Sequence, residues 1–86
     1  MLTQHAAAVL VDIRKLGSDK LHDDVVRFLR ALTLEVAAAV RQSKPPAGTR
    51  IKDGRYAVDV RQESVMIYYL LDAKNRRLVV TNILWA

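Results

Sequence analysis

At 86 residues the chain has room for one domain with a modest core. Its 51% hydrophobic content argues against disorder, the lack of cysteine excludes disulfides and thiolate chemistry, and no apolar run reaches the roughly 18 residues of a membrane span. The formal charge is +5, carried unevenly: residues 1–40 hold five basic and five acidic side chains, residues 41–86 nine basic and four acidic. That bias favours an anionic partner for the second half, either nucleic acid or an acidic protein, although a solvated basic surface serving solubility has the same composition.

The first residues, Met1 to Ala8, lack the positive start of a secretory signal, so the cytoplasm is the expected compartment. Leu2, Ala6, Val9, Leu10, Ile13 and Leu16 follow helical spacing and predict one apolar stripe. Gly17 is a helix stop, and Ser18 or Asp19 a cap for the next helix. Leu21, Val25, Phe28, Leu29, Leu32, Val36, Ala39 and Val40 form a second stripe, with Asp23, Asp24, Arg27, Arg30 and Arg41 mostly off it. So short a connection predicts an antiparallel helix hairpin over residues 3–43, and Pro45, Pro46 and Gly48 mark a linker at 44–50.

The period then changes. Tyr56, Val58 and Val60 alternate with Ala57, Asp59 and Arg61, as in a half-buried strand. Val65 to Leu71 is almost wholly apolar, which suits a central strand. Asp72 to Arg76 is a polar turn, and Leu78 to Trp85 is the last strand. Strands joined by short turns predict a meander over 51–86, and the helices would pack on one face of it. The expected fold is therefore a single α+β domain with a three- or four-stranded antiparallel sheet.

Few residues suggest chemistry. His5 and His22 are the only histidines, and both lie in the helical half. Asp23 and Asp24 adjoin His22, but helix neighbours do not face each other; Asp19 has the i,i+3 spacing that would bring a carboxylate to His22. No metal-ligand spacing, Gly-rich phosphate loop or nucleophile elbow is present, so neither metal nor cofactor is expected. The basic set Arg50, Lys52, Arg55, Arg61, Lys74, Arg76 and Arg77 is the candidate binding surface, since Lys and Arg grip phosphates and carboxylates. Tyr56 stands between Arg55 and Arg61 and could stack on an unpaired base, but its parity with Val58 and Val60 favours the core. Tyr68 and Tyr69 must lie on opposite faces, and Trp85 is a packing or interface anchor.

From about Ala8 to Trp85 the chain resembles the RelE/ParE toxins of type II toxin–antitoxin systems. The resemblance rests on Ile13-Arg-Lys-Leu-Gly-Ser18 at the end of the first helix, a long second helix and a proline-containing linker. It continues with Arg50-Ile-Lys-Asp-Gly-Arg-Tyr56 opening a strand, then Tyr56 to Arg61, Ile67, Tyr69 and Asp72 in the central hairpin. It implies an antitoxin as partner and either the ribosome and its messenger RNA or DNA gyrase as target. Members that cut messenger RNA use basic side chains to stabilise charge at the phosphate, commonly the largest catalytic term. Here the matched positions are Ala57, Asp59 and Met66, so Lys52, Arg55 and Arg61 are the substitute catalytic candidates. Many members also begin with a strand before the first helix; Met1 to His5 is too short for a full one, which would leave a sheet edge open to an antitoxin strand or a second copy. The expected function is thus a toxin-like protein that acts by binding. The alternatives are a ribosome-dependent endoribonuclease with a rearranged basic site and a non-toxic homodimeric module.

Overall fold

The computed structural model describes residues 1–60 and 63–86. Helix α1 spans Gln4–Asp12 and continues into a π turn, Ile13–Gly17; helix α2 spans Asp19–Arg41. Four strands follow: β1 Thr49–Arg50, β2 Tyr56–Val60, β3 Val65–Asp72 and β4 Arg77–Trp85. They form one antiparallel sheet in the order β1-β2-β3-β4. The chain is therefore an α+β protein, a helical region followed by a four-stranded antiparallel sheet.

Local chemistry explains each helix start. The Thr3 hydroxyl accepts from the Ala6 amide at 3.2 Å and the Ser18 hydroxyl from the Leu21 amide at 3.0 Å, each satisfying a donor that the first turn leaves unpaired. The π turn changes the phase of the first helix. Ala6, Leu10 and Ile13 stay buried, but Leu16, expected on the same stripe, is turned out to solvent. On α2, Val25, Leu32 and Val36 are buried as the stripe predicts, whereas Val40, near the helix end, is exposed. Among the described residues α1 packs along β4 and α2 meets the π turn, so the helices join mainly through that turn rather than along a hairpin seam. The His22–Asp19 pairing does not form: Arg14 of the π turn lies between them, 3.6 Å from the Asp19 carboxylate and 3.4 Å from His22 Nδ1. His22 Nδ1 instead comes within 3.5 Å of its neighbour Asp23.

The helices cover the sheet face that carries Val60, Val65, Ile67, Tyr69, Leu78, Val80 and Ile83. Inward positions are even at the start of β4 (Leu78, Val80) and odd at its end (Ile83). The register shift between Tyr68 and Tyr69, which pair with Asn82 and Val80, makes Thr81 the extra residue of a β-bulge and so switches the parity. Tyr69 is the inward tyrosine and is fully buried; Tyr68 lies on the opposite face. Tyr56 stacks on Tyr69 with ring centroids 5.3 Å apart, as its parity with Val58 predicts. Trp85 packs over Gly17, where an added Cβ would sit 3.1 Å from the indole.

Two features go beyond the predicted meander. The expected linker contains β1, whose Thr49 and Arg50 pair with Ala57 and Tyr56. The turn that brings it back is built on Asp53-Gly54: Ile51 N–H donates to the Arg55 carbonyl at 2.8 Å, Gly54 has φ +90°, and the Asp53 carboxylate accepts from the Arg55 amide at 3.0 Å. The β4 edge expected to stand open is also partly occupied. Leu2 forms a parallel bridge with Val80, Thr3 N–H donates to the Val80 carbonyl at 3.0 Å, and Val80 N–H donates to the Met1 carbonyl at 2.8 Å.

The Tyr69 hydroxyl donates to the Ala47 carbonyl, tying the linker to the sheet. Next to it, Gly48 has φ +94°, and a Cβ there would lie 2.5 Å from the Ala57 carbonyl oxygen. Gly48→Ala should therefore cost about 2 kcal/mol or more, from the left-handed backbone and the backbone clash together. Tyr69→Phe should cost about 1–2 kcal/mol, from an unpaired carbonyl without loss of the ring. Urea denaturation of both variants measures the two effects. Burial, reinforced by Tyr56 and Glu35, raises the Tyr69 phenol to about 12. The unfolded chain loses that proton near pH 10 and the folded chain holds it, so stability should fall as pH rises from about 10 towards 12, and Tyr69→Phe should flatten that slope.

Candidate functional site

The register places the two hairpin turns at the same end of the sheet. Arg50 pairs with Tyr56 and Asp72 with Arg77, so the β1–β2 turn and the β3–β4 turn project side by side. With strands about 4.8 Å apart, the two turns are separated by roughly 10 Å. Six of the seven residues in the basic set gather there: Arg50, Lys52 and Arg55 from one hairpin, and Lys74, Arg76 and Arg77 from the other. With Asp53 and Asp72 as the carboxylates of these two segments, the sheet end holds a net +4 out of the chain's +5. Arg61 lies outside the described residues; Val60, which precedes it, pairs with Val65 at the opposite end of β2 from Arg55.

The six cations fall into two kinds. Arg55 and Arg77 are held. The Arg55 Nε lies 2.8 Å from the Asp53 carboxylate and its Nη1 3.3 Å from the Thr81 hydroxyl, while the guanidinium rests 5.2 Å from the Tyr68 ring centroid. The Arg77 Nε lies 3.3 Å from Asp72, whose other contacts are the Asn75 amide and side chain. The Arg55 backbone amide, with its guanidinium, draws the Asp53 carboxyl below the usual carboxylate range, and Asn75, with Arg77, does the same for Asp72. Arg50, Lys52, Lys74 and Arg76 are exposed and have no ion pair among the described residues. Arg76 has φ +51°, a left-handed conformation that a non-glycine residue holds at a cost.

The positions matched to ribonuclease residues share the uncovered face of the sheet. Ala57 pairs with Tyr68 and Asp59 with Met66. Asp59 is exposed, and Ala57 and Met66 are half-buried. His5, from the first turn of α1, reaches the edge of this face and lies 2.9 Å through Nε2 from the Asn82 side-chain oxygen. Nothing in its sequence position indicated this, because the contact depends on α1 lying along β4.

This arrangement can hold an anion at several points on a broad, exposed surface. Among the described residues it offers no enclosed acid–base pair. No protein-family model matches the chain, and no match was found among curated proteins or solved structures.

If the basic end grips a polyanion, Lys52→Ala and Lys74→Ala should each weaken binding to a single-stranded oligonucleotide and lower the salt slope by about one phosphate contact. Fluorescence anisotropy across a salt series reads both. Arg76→Gly should weaken binding in the same way yet leave stability within about 1 kcal/mol of the parent, since glycine relieves the left-handed backbone. Loss of stability comparable to loss of binding would assign Arg76 a structural role instead.

Proposed function

We propose that this chain is a RelE/ParE-like toxin, or a protein derived from one, that acts by binding a cellular target and is neutralised by an antitoxin. The observation that carries the reading is the net +4 sheet end built from two adjacent turns. A surface of that charge speeds and orients the encounter with an anionic partner. The order of elements supports the same reading, with two helical segments before an antiparallel sheet and Met1–Thr3 beside β4, where an initial strand would lie. The targets in view are the ribosome with its messenger RNA and DNA gyrase, and the antitoxin would meet the basic end with an acidic segment.

Cleavage of messenger RNA is the weaker alternative. Ala57, Asp59 and Met66 provide no cation, and Asp59 would repel a phosphate. Lys52 and Arg55 lie at one end of β2, and Val60, next to Arg61, lies at the other. A single proton-transfer group is ordinarily worth 10²- to 10⁴-fold only when placed within hydrogen-bond reach of the reacting proton, and the carboxylate beside these cations, Asp53, is taken up by Arg55 at 2.8 Å.

Expression in a bacterium with and without the product of the adjacent gene tests the proposal. Growth arrest relieved by the neighbour is the expected outcome, and unimpaired growth in both cases would contradict it. Primer extension on translated messages from arrested cells should show no codon-phased cuts. If such cuts appear and Arg61→Ala abolishes them, the enzymatic alternative replaces binding.

A further inference from the structure

The second face of the sheet departs from the pattern of a solvated surface. A sheet covered on one side normally alternates apolar-in and polar-out. Here Ala57, Met66, Tyr68, Leu70, Val79 and Leu84 make most outward positions apolar across three strands, interrupted by Asp59 and Asn82, and none of the six belongs to the core that the helices cover. Strand β3 therefore reads as a strand buried on both faces, although only one is covered. Leu84 is 50% exposed.

The same face is self-complementary in charge. At one end the Arg55 guanidinium lies over the Tyr68 ring; Asp53 takes its Nε and Thr81 its Nη1, leaving Nη2 for a carboxylate. At the other end is a shallow, open depression lined in part by Asp59, Met66 and Leu84; Glu63 also borders it, but its carboxylate is turned towards Asp24 and Lys20 of α2. Arg55 immediately precedes β2 and Asp59 lies four residues further on, about 13 Å along the extended chain. The Ala57–Tyr68 pair lies midway. A two-fold axis in the plane of the interface, perpendicular to the strands and level with Ala57, Tyr68 and Asn82, sets Arg55 of each copy against Asp59 of the other.

We infer that the uncovered sheet face is an interface for a second copy of this chain, packed sheet to sheet. Two reciprocal Arg55–Asp59 pairs flank an apolar centre that includes Met66, Tyr68 and Leu84. Residue i of one copy meets residue j of the other and the reverse, as an isologous contact requires. The turn cations Lys52, Lys74 and Arg76 then point outward at opposite poles of the dimer, where like charges are far apart.

Analytical ultracentrifugation of the whole chain over a concentration series tests this, with circular dichroism melts as the folding control. The parent should show a monomer–dimer equilibrium. Arg55→Asp and Asp59→Arg should each weaken the dimer by more than about tenfold through like-charge contacts, and the double variant, which restores opposite signs across the axis, should recover most of that loss. Leu84→Asp, at an exposed position, should give a folded monomer. A parent that stays monomeric at all concentrations overturns the inference. So does a dimer that neither charge reversal nor Leu84→Asp disturbs, or a double variant no tighter than the singles.

Discussion

The organisation of this small protein depends on the buried side chain of Tyr69. Its ring fills the centre of the covered sheet face and stacks on Tyr56, and its hydroxyl holds the Ala47 carbonyl of the linker. A chain of this size buries a smaller share of its surface than a larger domain does, so one aromatic ring with a satisfied polar tip has a large share of the total. The tie also has a positional effect. With Ala47 pinned, Gly48 turns the chain against Ala57, and β1 falls into register with the start of β2. That register brings the Ile51–Arg55 turn level with the β3–β4 turn. The charged end of the sheet is thus a consequence of core packing.

The two faces of the sheet are separated by the same packing. The helices protect one face, where valine, isoleucine and tyrosine make the core. The other face is largely apolar, with Asn82 in its central row, Arg55 near one end and Asp59 near the other, which gives it direction as well as hydrophobicity. Arg55 joins the basic end to this face: Asp53 and Thr81 hold it in place and Tyr68 supports it from below. A cation fixed in this way loses little freedom on meeting a partner, which favours specific contact over loose attraction.

Much of this was readable from the residues. The two helices, the stop at Gly17, a cap at Ser18 or Asp19 (the structure uses Ser18) and the central apolar strand follow from period and capping chemistry. So did the asymmetry of charge and the inward parity of Tyr56. Other elements were not read. The π turn that exposes Leu16 depends on how the first helix meets the second, and sequence spacing assumes a constant period. Strand β1 is only two residues long, too short for a pattern, although Asp53-Gly54 carried a turn signal. The bulge at Thr81 was also legible in principle, because the apolar positions of the last strand change parity between Val80 and Ile83.

Local preferences follow from the residues alone: which stretches turn as helices, which alternate as strands, and that the second half carries all the excess charge. These depend on neighbours three or four residues away at most. Tertiary structure decided which charges meet. Arg55 and Arg77 are 22 positions apart in the chain and share one sheet end, while the extended run through β2 sets Arg55 and Asp59 towards opposite ends of the uncovered face. His5 reaches Asn82, 77 positions away, only because α1 lies along β4. Register and helix placement are set by how the whole core closes around Tyr69, a global condition that no local pattern encodes.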